Sequence, residues 1–389
     1  MPPVDPELYA PVHDDEPDES DDRGRGLCLS GGGYRAMLFH LGTLWRLNEA
    51  GWLGTLDRVS SVSGGSITAA TLASRWSQLA FDADGVASSF ADLVVTPLRR
   101  LAGRTIDVSS VVRGALGVGS VGDRVAAAYD RHLFDGATLQ DLPAPDARTP
   151  RFILNATSLQ SGALWRFARD KMGDYRVGEV RRPTLPLAQA VAASSAFPPF
   201  LSPVILRLDP DTFVGGSDLH DPAYRSRVVL TDGGAYDNLG LERVFKTSST
   251  ILVSDAGKKL TAEARPRRAW PLQFYRVVNV INNQVRSLRI RQTQAALHAD
   301  PDAGCLHRKG AYWGIRTDVR GYGVPDPLPC PHAATLVLAS TPTRLARLDG
   351  RLQERLINWG YAACDAALRA DVDRTIPRGA FPYPSSGVG

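Results

Sequence analysis

Residues 26–66 read GLCLSGGGYRAMLFHLGTLWRLNEAGWLGTLDRVSSVSGGS, and this stretch decides the fold. It holds two glycine-rich turns, each set between an apolar run and a helical pattern. The first, Ser30-Gly31-Gly32-Gly33-Tyr34-Arg35, follows Gly26-Leu27-Cys28-Leu29 and leads into Met37, Leu38, Leu41, Leu44 and Leu47, an apolar stripe at helical spacing. The pattern predicts strand, turn, helix. Three successive glycines let the backbone approach a ligand and aim N–H groups at it from the positive end of a helix. That suits an anion or a developing oxyanion.

The second turn, Ser61-Val62-Ser63-Gly64-Gly65-Ser66, follows Asp57-Arg58-Val59-Ser60 and precedes Thr68-Ala69-Ala70-Thr71-Leu72-Ala73, so the same order of elements repeats. Ser63 stands at the bend. In a nucleophile elbow a strained turn lifts a hydroxyl clear of the sheet, and its neighbours must be small for strand and helix to pack. Gly65 fills the second glycine place of G-x-S-x-G, and Ser61 stands where the first glycine is usual.

SGGGYRA followed within one strand-helix-strand unit by SVSGGS resembles the patatin-like phospholipases. The oxyanion turn is also similar to that of the cytosolic phospholipases, since Ser30 and Ala36 stand where patatin-type enzymes more often carry Asp and Gly. The resemblance implies a three-layer α/β/α hydrolase fold with a mainly parallel central sheet. It also implies a Ser/Asp dyad without histidine, and so a later Asp-Gly-Gly or Asp-Gly-Ala. The chain supplies Val228-Val229-Leu230-Thr231-Asp232-Gly233-Gly234. Lipid acyl hydrolysis is the implied activity, with Ser63 as nucleophile, Asp232 as base and Gly31, Gly32 and Gly33 as the oxyanion hole. Arg35, Gly65, Gly233 and Gly234 support them.

The residues around Asp232 read the same way on their own. Val228-Val229-Leu230 is a buried-strand pattern whose carboxyl end presents Asp232, and sites in parallel α/β sheets lie at such ends. An Asp held near Ser63 could deprotonate the hydroxyl directly. Asp255, at the end of Ile251-Leu252-Val253-Ser254, is the rival carboxylate. Asp237 and Asn238 read as solvated turn residues or as groups behind the site. Arg35 reads either as a phosphate dock or, preferably, as a brace whose guanidinium bonds nearby carbonyls. None of His13, His40, His132, His220, His298, His307 and His332 lies in a catalytic context.

Composition sets the bounds. The 389 residues are 43% hydrophobic, enough for one large α/β domain. A net charge of +4 without a dense Lys/Arg run gives no nucleic-acid footprint. Cys28, Cys305, Cys330 and Cys364 are scattered without a C-x-x-C pair, so neither a zinc site nor a disulfide framework is expected. No cofactor or metal is expected for the chemistry. The expected location is cytoplasmic, with peripheral contact to a membrane surface, because no apolar run approaches the roughly 20 residues of a membrane span.

Residues 1–22, rich in Asp, Glu and Pro, read as an acidic solvated tail without the pattern of a signal peptide. Residues 23–370 read as the catalytic domain and 371–389 as a C-terminal tail. Within the domain, 75–150 interleaves apolar residues and arginines, including Val111-Val112-Arg113-Gly114-Ala115-Leu116-Gly117-Val118-Gly119. It reads as a lid or as a helical insertion. Ala192-Ala193-Ser194-Ser195-Ala196-Phe197-Pro198-Pro199-Phe200 resembles the family's alanine-serine block, with small residues allowing close packing behind the site. Phe274, Val277, Val278, Ile281, Val285 and Leu288 mark one face of a long amphipathic helix, expected to face the core, with a basic membrane-facing role as the alternative. The alternatives in other classes are a non-catalytic lipid- or anion-binding protein and an interaction scaffold. No Gly-Lys-Ser/Thr ends either turn, which speaks against nucleotide binding.

Overall fold

A computed structural model describes residues 24–106, 120–146, 148–199, 201–266, 268–300 and 307–389. The acidic tail 1–22, the 111–119 run, Phe200 and Cys305 lie outside the described residues.

Among the described residues eleven strands form one sheet: β1 (Arg25–Leu29), β2 (Arg58–Val62), β3 (Arg151–Ser158), β4 (Leu164–Phe167), β5 (Lys171–Asp174), β6 (Gly178–Arg181), β7 (Val204–Arg207), β8 (Phe213–Val214), β9 (Arg227–Asp232), β10 (Thr250–Asp255) and β11 (Lys309–Gly314). The centre, β11-β10-β1-β2-β3, is parallel throughout. Beyond β3 the sheet continues antiparallel through β4, β5, β6 and β8.

Side-chain alternation along β1 divides the core. Leu27 and Leu29 join the large cluster with helix α1 (Gly33–Glu49), α2 (Gly64–Ala73) and the helix Gly350–Ala367. Cys28 points to the opposite face, into a smaller cluster with Leu241, Val244, Ile251 and Val253, against which Ile290 and Leu297 of the long helix Trp270–Leu297 pack. A period of two on a strand buried on both faces makes every residue apolar or small. The result is the expected α/β/α layering.

Strand β9 departs from the expected parallel arrangement. It pairs antiparallel with β3, Asp232 opposite Ala156 and Leu230 opposite Ser158. Ala156 pairs on its other side with Trp165 of β4, so β9 shares the edge of β3 that β2 occupies from Arg151 to Asn155. Thus β2 and β9 run toward each other along one edge and end at neighbouring positions.

The described part of 75–150 is a packed helical insertion. Phe90, Val94, Leu98, Leu101, Tyr129 and Leu133 are buried in the main cluster. The C-terminal segment rests on the helix Gly350–Ala367, where Asn358 Nδ2 donates to the carbonyls of Tyr383 and Gly387 at 2.8 Å.

Candidate active site

Ser63 follows β2 directly and caps α2 with φ 54° and ψ −119°. A non-glycine residue held there costs about 1–3 kcal/mol, and such residues cluster at active sites. The bend is crowded on both sides. A Cβ on Gly64 would strike the Gly33 carbonyl, and one on Gly65 the Leu29 carbonyl.

Serines pin the turn from behind. Ser194, at the end of the helix Leu187–Ser194, accepts the Ser63 N–H at 3.0 Å, lies 2.8 Å from the Ser66 hydroxyl and donates to the Asn155 carbonyl at 2.6 Å. Ser61 donates to the Ile153 carbonyl at 3.2 Å and meets Ser66 at 3.0 Å. Its hydroxyl has buried partners, which explains a serine where the elbow pattern has glycine.

Asp232 ends β9 beside this turn. Its Oδ1 accepts the Gly234 N–H at 2.7 Å, and its carbonyl accepts from Thr157 Oγ1 at 2.9 Å. The Ser63 hydroxyl lies close enough to act on the carboxyl's pKa, yet Oδ2 is buried without a partner at hydrogen-bonding geometry among the described residues. Burial raises the Asp232 pKa to about 6, against the opposing pull of the Gly234 N–H and the Ser63 hydroxyl. Gly233 must be small because a Cβ would strike the Asn155 carbonyl.

The N–H groups of the first glycine turn are not alike. The Gly31 N–H donates to the Asn238 carbonyl at 3.0 Å, so it is already engaged and is not a free oxyanion donor. The N–H groups of Gly32 and Gly33 have no acceptor among the described residues. Gly32 (φ 149°) and Gly33 (φ 60°) both sit where glycine is favoured. Arg35 ties the turn to the segments after β10 and around Thr341. Fully buried, it donates through Nε and Nη2 to the Ala256 carbonyl at 3.1 and 3.0 Å, and through Nη1 to the Thr341 carbonyl and Thr343 Oγ1 at 2.5 and 2.9 Å. Burial pulls the guanidinium down to about 10, still charged at neutral pH.

Of the two readings open for Asp237 and Asn238, the structure excludes solvated turn residues, since Asp237 is buried and Asn238 half-buried. Asp237 is fully buried and accepts the N–H groups of Leu239 and Glu242. Asn238 sits between the first glycine turn and the Asp232-Gly233-Gly234 turn, its Oδ1 so placed that a Cβ on Gly31 or on Gly234 (2.6 Å) would collide with it. Asp255, the rival carboxylate, is fully buried and committed elsewhere: Arg286 Nη2 and Tyr312 Oη donate to its Oδ2 at 2.5 and 2.7 Å. Burial pushes its pKa up, but the Arg286 charge and these hydrogen bonds outweigh that and hold it below the usual carboxylate range. His40 is a packed histidine, bonded to Ser254 Oγ and the Ser30 carbonyl at 2.9 Å each and drawn down to about 4 by burial.

A cleft of about 540 Å³ opens over these groups. Gly31, Gly32, Ser63, Asp232, Gly234 and Asn238 line its floor, and residues of 257–263 and of the helix Trp270–Leu297 form its other wall. No described residue of 75–150 and no described histidine lines it. Chemically the floor presents a hydroxyl on a strained turn, a buried carboxylate oxygen with no partner among the described residues and the unengaged N–H of Gly32, with that of Gly33 next along the turn.

A family model described as patatin-like phospholipase matches residues 27–245, more than half of the chain. The chain belongs to the patatin-like phospholipase family. Among solved structures, this patatin-like phospholipase is similar to human GIVD cytosolic phospholipase A2 in complex with methyl gamma-linolenyl fluorophosphonate. Identity is 16% and the TM-score 0.52, over 92% of this chain and 59% of that one. The same human protein with that inhibitor and terbium chloride gives 15% identity and a TM-score of 0.51, over 92% and 60%. At such identity the likeness is one of fold. The chain spans about 60% of the length of these human structures. No curated protein matches it.

Sequence reasoning on the patatin-like phospholipase reached both turns and Asp232 but missed the specific parts played by Ser194 and Asn238. The alanine-serine block was a signal for the first. For the second, the only cue was Asn238 lying a few residues beyond Asp-Gly-Gly.

Proposed function

We propose that the chain is a lipid acyl hydrolase that cleaves carboxylic esters of phospholipids or related acyl lipids through Ser63 and Asp232. The observation that carries this reading is the Asp232 carboxylate, buried with Oδ2 unpartnered, beside a serine held at positive φ on the floor of a cleft. An unpartnered buried oxygen is costly for folding, and such groups in native structures call for an explanation. A base awaiting a proton supplies one.

Asp232 takes the proton of Ser63 Oγ as the oxygen attacks the ester carbonyl carbon. The carbonyl oxygen becomes an oxyanion, held by the N–H groups of Gly32 and Gly33. As the carbon–oxygen bond to the alcohol breaks, Asp232 returns the proton to the departing alcohol and leaves an acyl-serine. Water repeats the sequence: Asp232 takes its proton, the hydroxide oxygen attacks, and the proton passes back to Ser63 Oγ as the fatty acid leaves. A carboxylate near pKa 6 is mostly ionised at pH 7 and a stronger base than an ordinary aspartate, as a general base working directly requires. Gly31 supports the turn through Asn238 rather than holding the oxyanion.

The test is fatty-acid release from mixed phospholipid vesicles, with fluorophosphonate labelling, by wild type, Ser63→Ala and Asp232→Asn. Release and labelling by wild type that vanish in Ser63→Ala support the reading. A folded wild type that neither labels nor releases fatty acid from any ester lipid overturns it, in favour of a binding protein.

A further inference from the structure

The helix Trp270–Leu297 is amphipathic in reverse. At about 100° per residue, Trp270, Phe274, Val277, Ile281 and Leu288 fall on one stripe, while Asn279, Asn282, Asn283 and Arg286 fall on the opposite side. The polar side faces the protein and lines the cleft. The apolar stripe faces outward, with Trp270 77%, Phe274 64%, Ile281 54% and Leu288 57% exposed. Of the whole helix only Thr293 and Ala296 are buried. The expectation of a core-facing stripe is thus overturned. Ion pairs hold the helix the other way round: Arg286 to buried Asp255 at 2.5 Å, Arg289 to Glu242 at 2.6 Å and Arg276 to Glu263 at 3.0 Å.

Charge indicates what covers the stripe. The helix carries four arginines and no acidic residue, and the segment before it adds Lys258, Lys259, Arg265 and Arg268 as exposed cations, its one acid, Glu263, already paired with Arg276. Tryptophan, tyrosine and phenylalanine concentrate at its N-terminal end, where Leu272 and Tyr275 also line the cleft. An apolar stripe with interfacial aromatics and a cationic surround matches a helix lying in the plane of an anionic lipid surface. The helix lies beyond the residues matched by the family model, 27–245, so it is a feature of this chain outside the matched region.

We propose that the outward stripe of the helix Trp270–Leu297 is the surface by which the protein docks on anionic lipid, bringing the mouth of the Ser63 cleft against the bilayer. The proposal takes from the lipid hydrolase reading only the reason why a bilayer should meet this cleft. Docking itself needs no turnover.

The experiment is flotation of the full chain carrying Ser63→Ala with vesicles of phosphatidylcholine, alone or mixed with phosphatidylserine. Compared with this parent are Phe274→Ser with Ile281→Ser, Trp270→Ser with Leu288→Ser, and Arg268→Gln with Arg291→Gln. Circular dichroism and thermal melting check folding, which these exposed sites should not disturb. The parent should bind the phosphatidylserine vesicles more tightly than phosphatidylcholine alone. Each apolar pair should weaken binding by about tenfold or more, and each lost cation by about fivefold. Undiminished binding in both apolar pairs overturns the proposal. So does an absence of vesicle binding with a concentration-dependent dimer that these substitutions dissociate, which assigns the stripe to a second copy of the chain. Vesicle binding with no hydrolysis by the wild type would sink the enzymatic reading while docking stands. Hydrolysis of a soluble short-chain ester with no vesicle binding would do the reverse.

Discussion

Asp232 stands opposite Ala156 on β3, one position beyond the Asn155 that faces Val62, and this juxtaposition brings its carboxylate to the Ser63 hydroxyl. Two strands of opposite direction share one edge and meet at their carboxyl ends. The approach of this carboxyl group to the hydroxyl is therefore set by backbone register.

If Asp232 is the base, Asp232→Asn should lower kcat for ester hydrolysis by about 10²- to 10⁴-fold. The same substitution should stabilise the protein at neutral and alkaline pH. The folded pKa is raised from 3.8 to about 6, so the native state binds more protons than the unfolded state between these values. Stability falls as pH rises through that window, and above it the wild type bears a cost of roughly 3 kcal/mol that asparagine removes. Thermal melting of both proteins at pH 5 and pH 8 checks this: Asp232→Asn should melt higher than wild type, with a larger gap at the higher pH.

The pH profile follows from the same group. In wild type, kcat/KM on a soluble ester should rise through an apparent pKa of about 6 and level off above it. Residual turnover in Asp232→Asn should lack this inflection. A limb that persists in the variant would assign the titration to another residue.

Asn238 leaves no room for a side chain on Gly31 or on Gly234. Gly234→Ala would place a methyl group 2.6 Å from Asn238 Oδ1 and 3.0 Å from Asp232 Oδ1, and should lower turnover on the order of 100-fold by moving the base. Asn238→Ala in the Gly234→Ala background should restore part of that loss. A double-mutant cycle of kcat/KM reads the coupling, and strict additivity would refute it.

Asp255→Asn separates the two carboxylates. It leaves the Arg286 guanidinium without its charged partner and should destabilise the fold by roughly 3–5 kcal/mol. It should leave the pH inflection near 6 in place. Loss of that inflection together with turnover in a folded variant would move the base to Asp255.

The sequence is most legible where the constraint is local. Gly32 and Gly33 are favoured by their own positive φ, and Gly64 and Gly65 by the Gly33 and Leu29 carbonyls of the neighbouring turn and strand, so the turns and Ser63 can be read from the chain directly. Asp-Gly-Gly marks Asp232 for a related reason, since Gly233 must clear the Asn155 carbonyl. Strand direction is different. Nothing in Val228-Val229-Leu230 distinguishes a parallel neighbour from an antiparallel one, because both bury alternate residues alike. The spent N–H of Gly31 and the hold of Ser194 on the elbow are likewise made by residues far away in the chain. For the helix Trp270–Leu297, periodicity defines a stripe but not the side the protein turns toward it. The pairing of Arg286 with Asp255 selects that side.

On the proposed mechanism, the head-on arrangement of β2 and β9 also governs when the growing chain gains its base. A nascent chain complete only through β3 already holds the elbow serine and both glycine turns, yet its hydroxyl is an ordinary alcohol. The residue that would ionise it arrives with β9, and it takes up its place only when that strand zips onto the free half of the β3 edge. A product truncated before Asp232 would keep the elbow serine but lack the proposed base, and should release no fatty acid from lipid.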